Sequence, residues 1–332
     1  RHLMLDDQPA DRRGGCAPVV EDHRRAGGIR KAERIAEAVG EELLRHRQDH
    51  VVLAIADDAD AEQIGGQPHR RVAVHRALWP AGRARSVEPE GDIVKHVFSA
   101  DALHETLKVG NYFVKPSNGS HGEGTFSLSV ADGEVRWAGR RGTFDDFLAY
   151  CLTALRHTKS LIVQPKLLNH QSIRDLTNAT GLSTVRVVTV RKAGAIKVIG
   201  ACMRIVVGNS ETDSFSHGSS GNLLAAVDLD SGKLIAARGS ASKTWPKVKD
   251  ISTHPTSGRT VVGVMLPYWP QVVDLVQKAH ESIQDLHTVG WDVAILDDGP
   301  IVVEANWRYD IDLIQVAYKK GFRKVIDENL AS

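Results

Sequence analysis

Apolar residues recur with two different periods in the early part of the chain, and each period predicts a different element. Across residues 29–47 they are spaced three and four positions apart, which is typical of an amphipathic helix. The apolar run at residues 51–56 predicts a short buried strand. Residues 1–28 and 57–91 are rich in arginine, glycine and polar side chains without a clear period, so the pattern assigns no element to them.

After residue 92 the pattern becomes regular. One helix is expected at residues 100–108 with Ser99 as its N-cap, a second from Thr143 to residue 157, and a third at residues 269–287. Helices that alternate with strands in this order predict an α+β (mixed α/β) fold. The predicted strands occupy residues 111–116, 126–130, 134–139, 161–165, 183–191, 196–207, 223–227, 234–238, 291–296 and 301–307.

The composition excludes several classes of protein. Lysine and arginine number 42 against 41 aspartates and glutamates, so the chain lacks the positive field typical of nucleic-acid or membrane-surface binding. The three cysteines are widely spaced, which predicts neither a disulfide framework nor a zinc site. No apolar run reaches the length of a membrane span or resembles a signal peptide. We expect a soluble, cytoplasmic protein that binds neither nucleic acid nor membrane.

Three oxygen-bearing side chains come together if residues 291–307 form a hairpin. Glu304 and Asn306 then share one face of a strand, and Asp292 lies near them on the neighbouring strand. Carboxylates placed so close repel one another unless a cation separates them, and Mg²⁺ takes such ligands together with phosphate oxygens. The pattern predicts a metal site at these three residues. A solvated hairpin with ordinary surface acids is the alternative.

A lysine and a glycine-rich loop form the second candidate site. Lys115 ends an apolar strand, and the loop at residues 117–124 follows it. Glycines in such a loop allow backbone N–H groups to face a polyphosphate. The loop matches neither GxxxxGK[ST] nor GxGxxG, the common phosphate-binding patterns. The alternative is a flexible hairpin loop beside a lysine that extends to solvent.

Six segments follow one another in a recognisable order: FVKPSNGSHGEG, LIVQP, STVRVVTV, DSFSHGSSGNLLAAVDLDSG, HPTSGRTVVGVMLPYW and VGWDVAILDDGPIVVEAN. Over residues 92–320 this order resembles the ATP-grasp superfamily, and more closely its sugar-transfer-associated branch, which is related to glutamate-ligase-like enzymes. The resemblance implies two α+β lobes that clasp a nucleotide. Residues 92–170 would form the lobe with the glycine-rich loop, and residues 171–332 the lobe with the metal site. Residues 1–91 lie outside it, as an arginine-rich segment that contains a helix and could form a small subdomain.

The resemblance also implies nucleotide and metal contacts. Asp292, Glu304 and Asn306 look like its metal ligands, which would hold one or two Mg²⁺ ions. Lys115 looks like the lysine that contacts the ATP phosphates. His170 stands near the position that usually holds a carboxylate for the ribose. The nucleotide-binding residues expected on this basis are Lys115, Asn118, Gly119, Ser120, His121, Gly122, Gly124, Gln164, Lys166, Leu168 and His170.

Two strand arginines and one loop complete the set of candidates. Arg186 and Arg204 are similar to arginines that face the transferred phosphate or the acyl substrate in this superfamily, and we expect them to act in catalysis with Lys115. Solubility charges on edge strands are the alternative for both arginines. Asp213, His217 and Gly218 lie in a loop that is either a substrate contact or a surface turn.

The function that the resemblance implies is that of an ATP- and Mg²⁺-dependent ligase. A carboxylate would accept the γ-phosphoryl group, and an amine would then attack the acylphosphate, in a glycan or natural-product pathway. Two alternatives stay open. A kinase acting on a sugar or polyol hydroxyl would use the same nucleotide site and would need a base, for which Asp213 and His217 are the candidates. A nucleotide-binding partner protein would have no catalytic role.

Overall fold

The structure is a computed structural model that describes residues 50–55, 72–77, 96–97, 100–116, 123–158, 160–240 and 247–330. The helix expected at residues 29–47, the cap expected at Ser99 and the loop residues 118–122 lie outside these ranges. Within them, the strands build two antiparallel sheets with helices packed against them. This arrangement confirms the α+β fold expected from the sequence.

The first sheet is built from the strands β1 (His50–Ile55), β2 (Val72–Ala77), β3 (His96–Val97), β4 (Gly110–Pro116), β5 (Phe126–Ala131), β6 (Glu134–Trp137), β7 (Arg140–Gly142) and β8 (Ser160–Pro165). Their order is β3-β2-β1-β8-β4-β5-β6-β7, so the strand predicted at residues 51–56 lies directly beside β8. Helices α1 (Ala100–Thr106) and α2 (Phe144–Ala154) cover one face. There Leu103 and Phe147 pack against Val114 and Leu128, which leaves the other face of β4 and β8 for the site.

The second sheet is built from the strands β9 (Thr184–Lys192), β10 (Ala195–Ile205), β11 (Leu223–Val227), β12 (Leu234–Ser240), β13 (Val248–Asp250), β14 (Thr288–Leu296) and β15 (Gly299–Asn306), in the order β13-β12-β11-β10-β9-β14-β15. Helices α3 (Gln171–Thr177) and α4 (Trp269–Glu281) pack on one face of this sheet. Helices α5 (Asp312–Tyr318) and α6 (Arg323–Leu330) lie on the other, where Ile314 packs with Val188 and Leu224. That second face also carries the site.

Most predicted elements are confirmed, and the differences have local causes. Thr143 caps α2 through a capping box with Asp146, as the sequence indicates. Helix α4 ends earlier than predicted because the chain turns after Ser282, and the buried ring of His280 contacts the carbonyl oxygen of Leu286 at 3.0 Å. Helix α3 was not predicted, because it is short and its N-cap is His170, an uncommon capping residue.

Candidate functional site

A cavity of about 750 Å³ lies between the two sheets and brings together most of the residues that the sequence singles out. Phe113 pairs with Gln164, and Lys115 pairs with Ile162, across β4 and β8. Directly paired and alternate residues share one face of a sheet, so these four side chains line the cavity together. The second sheet contributes mainly polar and charged side chains: Thr184, Arg186, Arg204, Asp292, Glu304 and Asn306.

Strand register explains why the charged residues of the second sheet meet. Arg186 on β9 lies opposite Asp292 on β14, which in turn lies opposite Glu304 on β15. The three residues therefore form one row across three neighbouring strands, on a single face of the sheet. The hairpin predicted for residues 291–307 is confirmed, and it places Asp292 beside Glu304 as expected.

Two arginines hold the carboxylate of Asp292. Arg186 binds it with two nitrogens: Nε donates to Oδ1, and Nη2 donates to Oδ2 at 3.0 Å. Arg204 Nη2 lies 2.8 Å from the same Oδ2. Arg186 is 6% exposed and Asp292 is 2% exposed, on central strands of the sheet, so the interpretation of the two arginines as edge-strand charges is wrong. Burial alone would raise the pKa of Asp292, but Arg204 and Arg186 outweigh it and hold that pKa below its usual range.

Thr184 and Asp213 fix Arg204 from the other side. The Thr184 hydroxyl and backbone N–H both donate to Asp213 Oδ2, at 2.5 and 2.9 Å. The same hydroxyl accepts from Arg204 Nη2 at 2.7 Å, and Arg204 Nε lies 3.4 Å from Asp213. Burial raises the pKa of Asp213, against the charge of Arg204. Thr184 was not predicted as a site residue; its position two residues before Arg186 on a predicted strand is the signal that places it on the same face.

Lys115 extends from the first sheet toward the second. Burial lowers the pKa of Lys115, and the negative charge of Glu304 opposes that shift. The lysine of one lobe is therefore close enough to the acid of the other for their charges to interact. A phosphate placed between the sheets would lie near Lys115 on one side and near the paired guanidinium groups of Arg186 and Arg204 on the other.

The expected metal ligands are only partly free to bind a cation. Asp292 is held by two arginines, whereas Glu304 is exposed and Asn306 has a buried Nδ2 without a hydrogen-bond partner. No group of three or more histidine, cysteine, aspartate and glutamate side chains suited to a metal occurs in the described part of the chain. Glu304 and Asn306 offer the oxygen ligands that Mg²⁺ prefers, and Asp292 joins them only if it gives up an arginine contact.

A second link between the lobes lies at the edge of the cavity. Lys166 Nζ, just after β8, donates to Ser127 Oγ at 2.7 Å and lies 3.4 Å from Glu211 Oε2. Ser127 Oγ also donates to Glu211. Lys166 was expected to be near the nucleotide, but Ser127 and Glu211 were not predicted, because their contacts join parts of the chain that are far apart in sequence.

Several predicted residues that the structure describes lie outside the cavity lining. Leu168 is half exposed and borders a neighbouring groove. His170 caps α3 and packs edge-on against Tyr268, with ring centres 5.7 Å apart. Gly218 is buried in a short 3-10 turn, and Gly124 adopts a left-handed conformation against Pro116. The loop residues 118–122 lie outside the described ranges.

The cavity is also lined by residues of the loop between β10 and β11 and of the segment that follows β15. Asp213 and His217 line it, whereas Gly218 does not. Asp310 and Asp312, just before and at the start of α5, line the same cavity. Further lining residues that were not predicted include Glu123, Thr125, Ser214, Ser216, Arg308 and Tyr309. Among the described residues, no helix has the length and apolar character needed to cross a membrane.

Two α+β lobes around a charged cavity have the architecture of an ATP-grasp protein. The chain belongs to the sugar-transfer associated ATP-grasp family, whose model matches residues 86–329. A comparison with curated proteins found no match.

Similar solved structures include three ligases. The L-amino acid ligase from Bacillus licheniformis is 16% identical, with 68% of this chain and 37% of that chain covered and a TM-score of 0.33. N5-carboxyaminoimidazole synthetase from Staphylococcus aureus is 12% identical, with 64% and 39% covered and a TM-score of 0.34. D-alanine–D-alanine ligase from Bacillus anthracis is 11% identical, with 64% and 47% covered and a TM-score of 0.31. The chain spans less than half the length of each.

Proposed function

We propose that the protein is an ATP- and Mg²⁺-dependent ligase that joins a small-molecule carboxylate to an amine through an acylphosphate. One observation carries the proposal: a lysine of one lobe and an arginine–aspartate–arginine network of the other line the same cavity, next to Glu304 and Asn306. Fixed charges on both sides of a cleft suit the transfer of a phosphoryl group, because catalysis of that reaction is mainly electrostatic.

ATP is the expected phosphoryl donor. Lys115 and the loop at residues 118–122 would hold its phosphates, as proposed from the sequence. Gln164 and Lys166 lie at the end of β8, and in this proposal the Gln164 amide and the backbone that follows it would meet the adenine edge. His170 is engaged as the cap of α3, so we assign it no nucleotide contact.

The oxygen ligands for magnesium would come from the second sheet. Glu304 and Asn306 would hold Mg²⁺, with Asp292 as a further ligand once it leaves an arginine. When bound, the ion supplies positive charge to the phosphate oxygens.

The chain does not need a nucleophile of its own. The carboxylate substrate attacks the γ-phosphorus, and Arg186 and Arg204 are placed to stabilise the negative charge of the phosphoryl group and the carboxylate. The two described cysteines are unsuited to attack, because burial raises the pKa of Cys151 and of Cys202 to about 12. The chemistry therefore passes between bound substrates.

The contacts of Asp213 remove one of the two candidate bases that a kinase would need. A kinase that phosphorylates a hydroxyl needs a base near the γ-phosphate, whereas a carboxylate accepts the phosphoryl group without losing a proton. Asp213, one of the two candidate bases, is buried and bound to Thr184 and Arg204. It is placed to position an arginine rather than to take a proton from a substrate.

Substrate-dependent phosphate release tests the proposal. The purified protein is incubated with Mg²⁺, ATP and pairs drawn from amino acids, sugar acids and amino sugars. We expect ADP and inorganic phosphate only when both a carboxylate and an amine are present. Lys115→Met should lower the rate at least tenfold through loss of the phosphate contact. Lys197→Met, a change at an exposed lysine of β10, is the matched control and should leave the rate unchanged.

Two results would contradict the proposal. A phosphate ester formed without release of inorganic phosphate would identify a kinase. Binding of ATP without turnover for any pair would favour a non-catalytic nucleotide-binding protein.

A further inference from the structure

The loop between β10 and β11 is held in one conformation where it borders the cavity. Asp213 is tied to Thr184 and Arg204, and Phe215 is buried. Farther along, Asn222 Nδ2 donates to the carbonyl oxygens of Thr212 and Ser214 at 2.8 and 2.9 Å. A segment anchored at both ends in this way can place a side chain accurately, as a catalytic residue requires.

Two consecutive residues of this loop have unfavourable backbone conformations. Ser216 has φ 44° and His217 has φ 53°, both in the left-handed region that non-glycine residues rarely adopt. Such conformations persist where the surrounding structure imposes them, and they are concentrated at functional sites. His217 is one of these two residues, and it also lines the cavity.

His217 is paired with an acid on another element. Its Nδ1 lies 3.2 Å from Asp312 Oδ2, at the start of α5. The second oxygen of Asp312, Oδ1, is buried and has no hydrogen-bond partner among the described residues. Both side chains line the same cavity as Lys115 and Arg204. A carboxylate at Nδ1 favours a proton on that nitrogen and leaves Nε2 as an acceptor.

We propose that His217, oriented by Asp312, is the base that takes a proton from the amine substrate in the second half of the reaction. The inference rests on the proposed ligase function and adds a residue pair to it. As the amine nitrogen bonds to the acyl carbon, the carbon–oxygen bond to phosphate breaks and phosphate leaves with its electron pair. The proton lost by the nitrogen passes to His217 Nε2, and Asp312 stabilises the resulting imidazolium.

The alternative is that His217 and Asp312 form an ordinary surface ion pair, and this alternative explains fewer of the observations above. The His217 side chain is 81% exposed, and exposed pairs add little stability. Such a pair would not account for the two adjacent left-handed residues that hold His217 at the cavity. An exposed imidazole is what a base requires when it meets a substrate that enters from solution.

Two nucleophiles separate the role of a base from the rest of the reaction. With the carboxylate found by phosphate release, the wild type is given either the amine substrate or hydroxylamine, which is a weaker base, is mostly unprotonated at neutral pH and releases its proton to water without a protein base. His217→Asn is the test variant, because asparagine tolerates the left-handed conformation. We expect its amide formation to fall about a hundredfold, and hydroxamate formation to stay within about threefold of wild type.

Asp312→Asn should lower amide formation about tenfold and again leave hydroxamate formation nearly unchanged, because a neutral partner stabilises the imidazolium less. His157→Asn, at an exposed histidine after α2, is the matched control and should change neither product. Loss of both products to the same extent in His217→Asn, or unchanged amide formation, would overturn the role of His217 while leaving the ligase proposal intact. Absence of both products in the wild type would overturn the ligase proposal and this inference with it.

Discussion

The two walls of the cavity hold their charges differently. On the second-sheet wall, Arg186, Asp292 and Asp213 are buried, Arg204 is partly buried, and the four are paired with one another. On the first-sheet wall, Lys115 is partly buried. Burial lowers its pKa, and the negative charge of Glu304 across the cavity opposes that shift. The first wall thus depends on the opposite lobe for its counter-charge, whereas the second wall is neutralised within one sheet.

This difference indicates a division of work between the lobes. The network of the second-sheet wall is fixed before any substrate arrives, as is required of groups that stabilise a transition state. The lysine of the first-sheet wall gains from an anionic ligand in the cleft, because burial disfavours its charged form in the absence of one. Variants that change residues of one wall and leave the other wall unaltered test this difference between the walls.

The largest effect is expected from breaking the network on the second-sheet wall. Asp292→Asn leaves the buried Arg186 and the partly buried Arg204 without their shared carboxylate, and the unfolding free energy should fall by about 3–5 kcal/mol. Equilibrium unfolding in urea measures this change. Asp274→Asn is the matched control; it breaks an exposed pair with Lys278 on α4 and should cost less than about 0.5 kcal/mol. Similar losses in the two variants would remove the distinction between a buried network and surface charges.

A smaller effect is expected from removing one hydroxyl of the same network. Thr184→Val keeps the side-chain volume but deprives Asp213 of a donor and Arg204 of an acceptor, which should cost about 1–3 kcal/mol in urea unfolding. Thr153→Val, at an exposed position of α2, serves as the control and should change the stability by less than about 0.5 kcal/mol. If Thr184→Val were as mild as its control, Thr184 would not position Arg204.

Acid should weaken the fold through Asp292. Because Arg204 and Arg186 lower its folded-state pKa, Asp292 contributes full stability above the unfolded-state pKa of about 3.9, and this contribution is lost as the pH falls through the folded-state value. The stability of the wild type should therefore decline more steeply with acid than that of Asp292→Asn, by up to ~1.4 kcal/mol per pH unit. Asp213 acts with the opposite sign, because burial raises its pKa. Parallel pH profiles of urea unfolding in the two proteins would show that Asp292 is not held ionised.

The smallest effect is expected at the link between the lobes. Ser127→Ala removes a hydroxyl that contacts Lys166 and Glu211 at an accessible edge of the cavity, where water can replace it. We expect a loss below about 0.5 kcal/mol in urea unfolding. A loss equal to that of Thr184→Val would mean that the two walls do not differ in how strongly their polar contacts are fixed.

Local pattern predicted the parts of the site that depend on neighbouring residues. The alternation along residues 291–307 was sufficient to place Glu304 and Asn306 on one strand face near Asp292, because a hairpin fixes its own register. The sequence also predicted Lys115 at the end of a strand, and in the structure Lys115 is the second-last residue of β4. These inferences needed only the period of a strand and the position of a turn.

Contacts between distant segments were not predictable in the same way. The pairing of Arg186 with Asp292 joins residues 106 positions apart, and nothing near either residue indicates it. The placement of β1 between β2 and β8 is likewise a property of the whole sheet. His170 was expected near a ribose but caps α3, because a helix that was not predicted begins just after it.

The transfer of labelled oxygen tests the central claim most directly. The carboxylate substrate is prepared with ¹⁸O in both carboxyl oxygens and incubated with the protein, ATP, Mg²⁺ and the amine, and the released phosphate is analysed by mass spectrometry. An acylphosphate route transfers one ¹⁸O from the carboxylate to each phosphate formed, which is the result we predict. Phosphate without label, with both oxygens retained in the carboxylate, would contradict the proposed reaction.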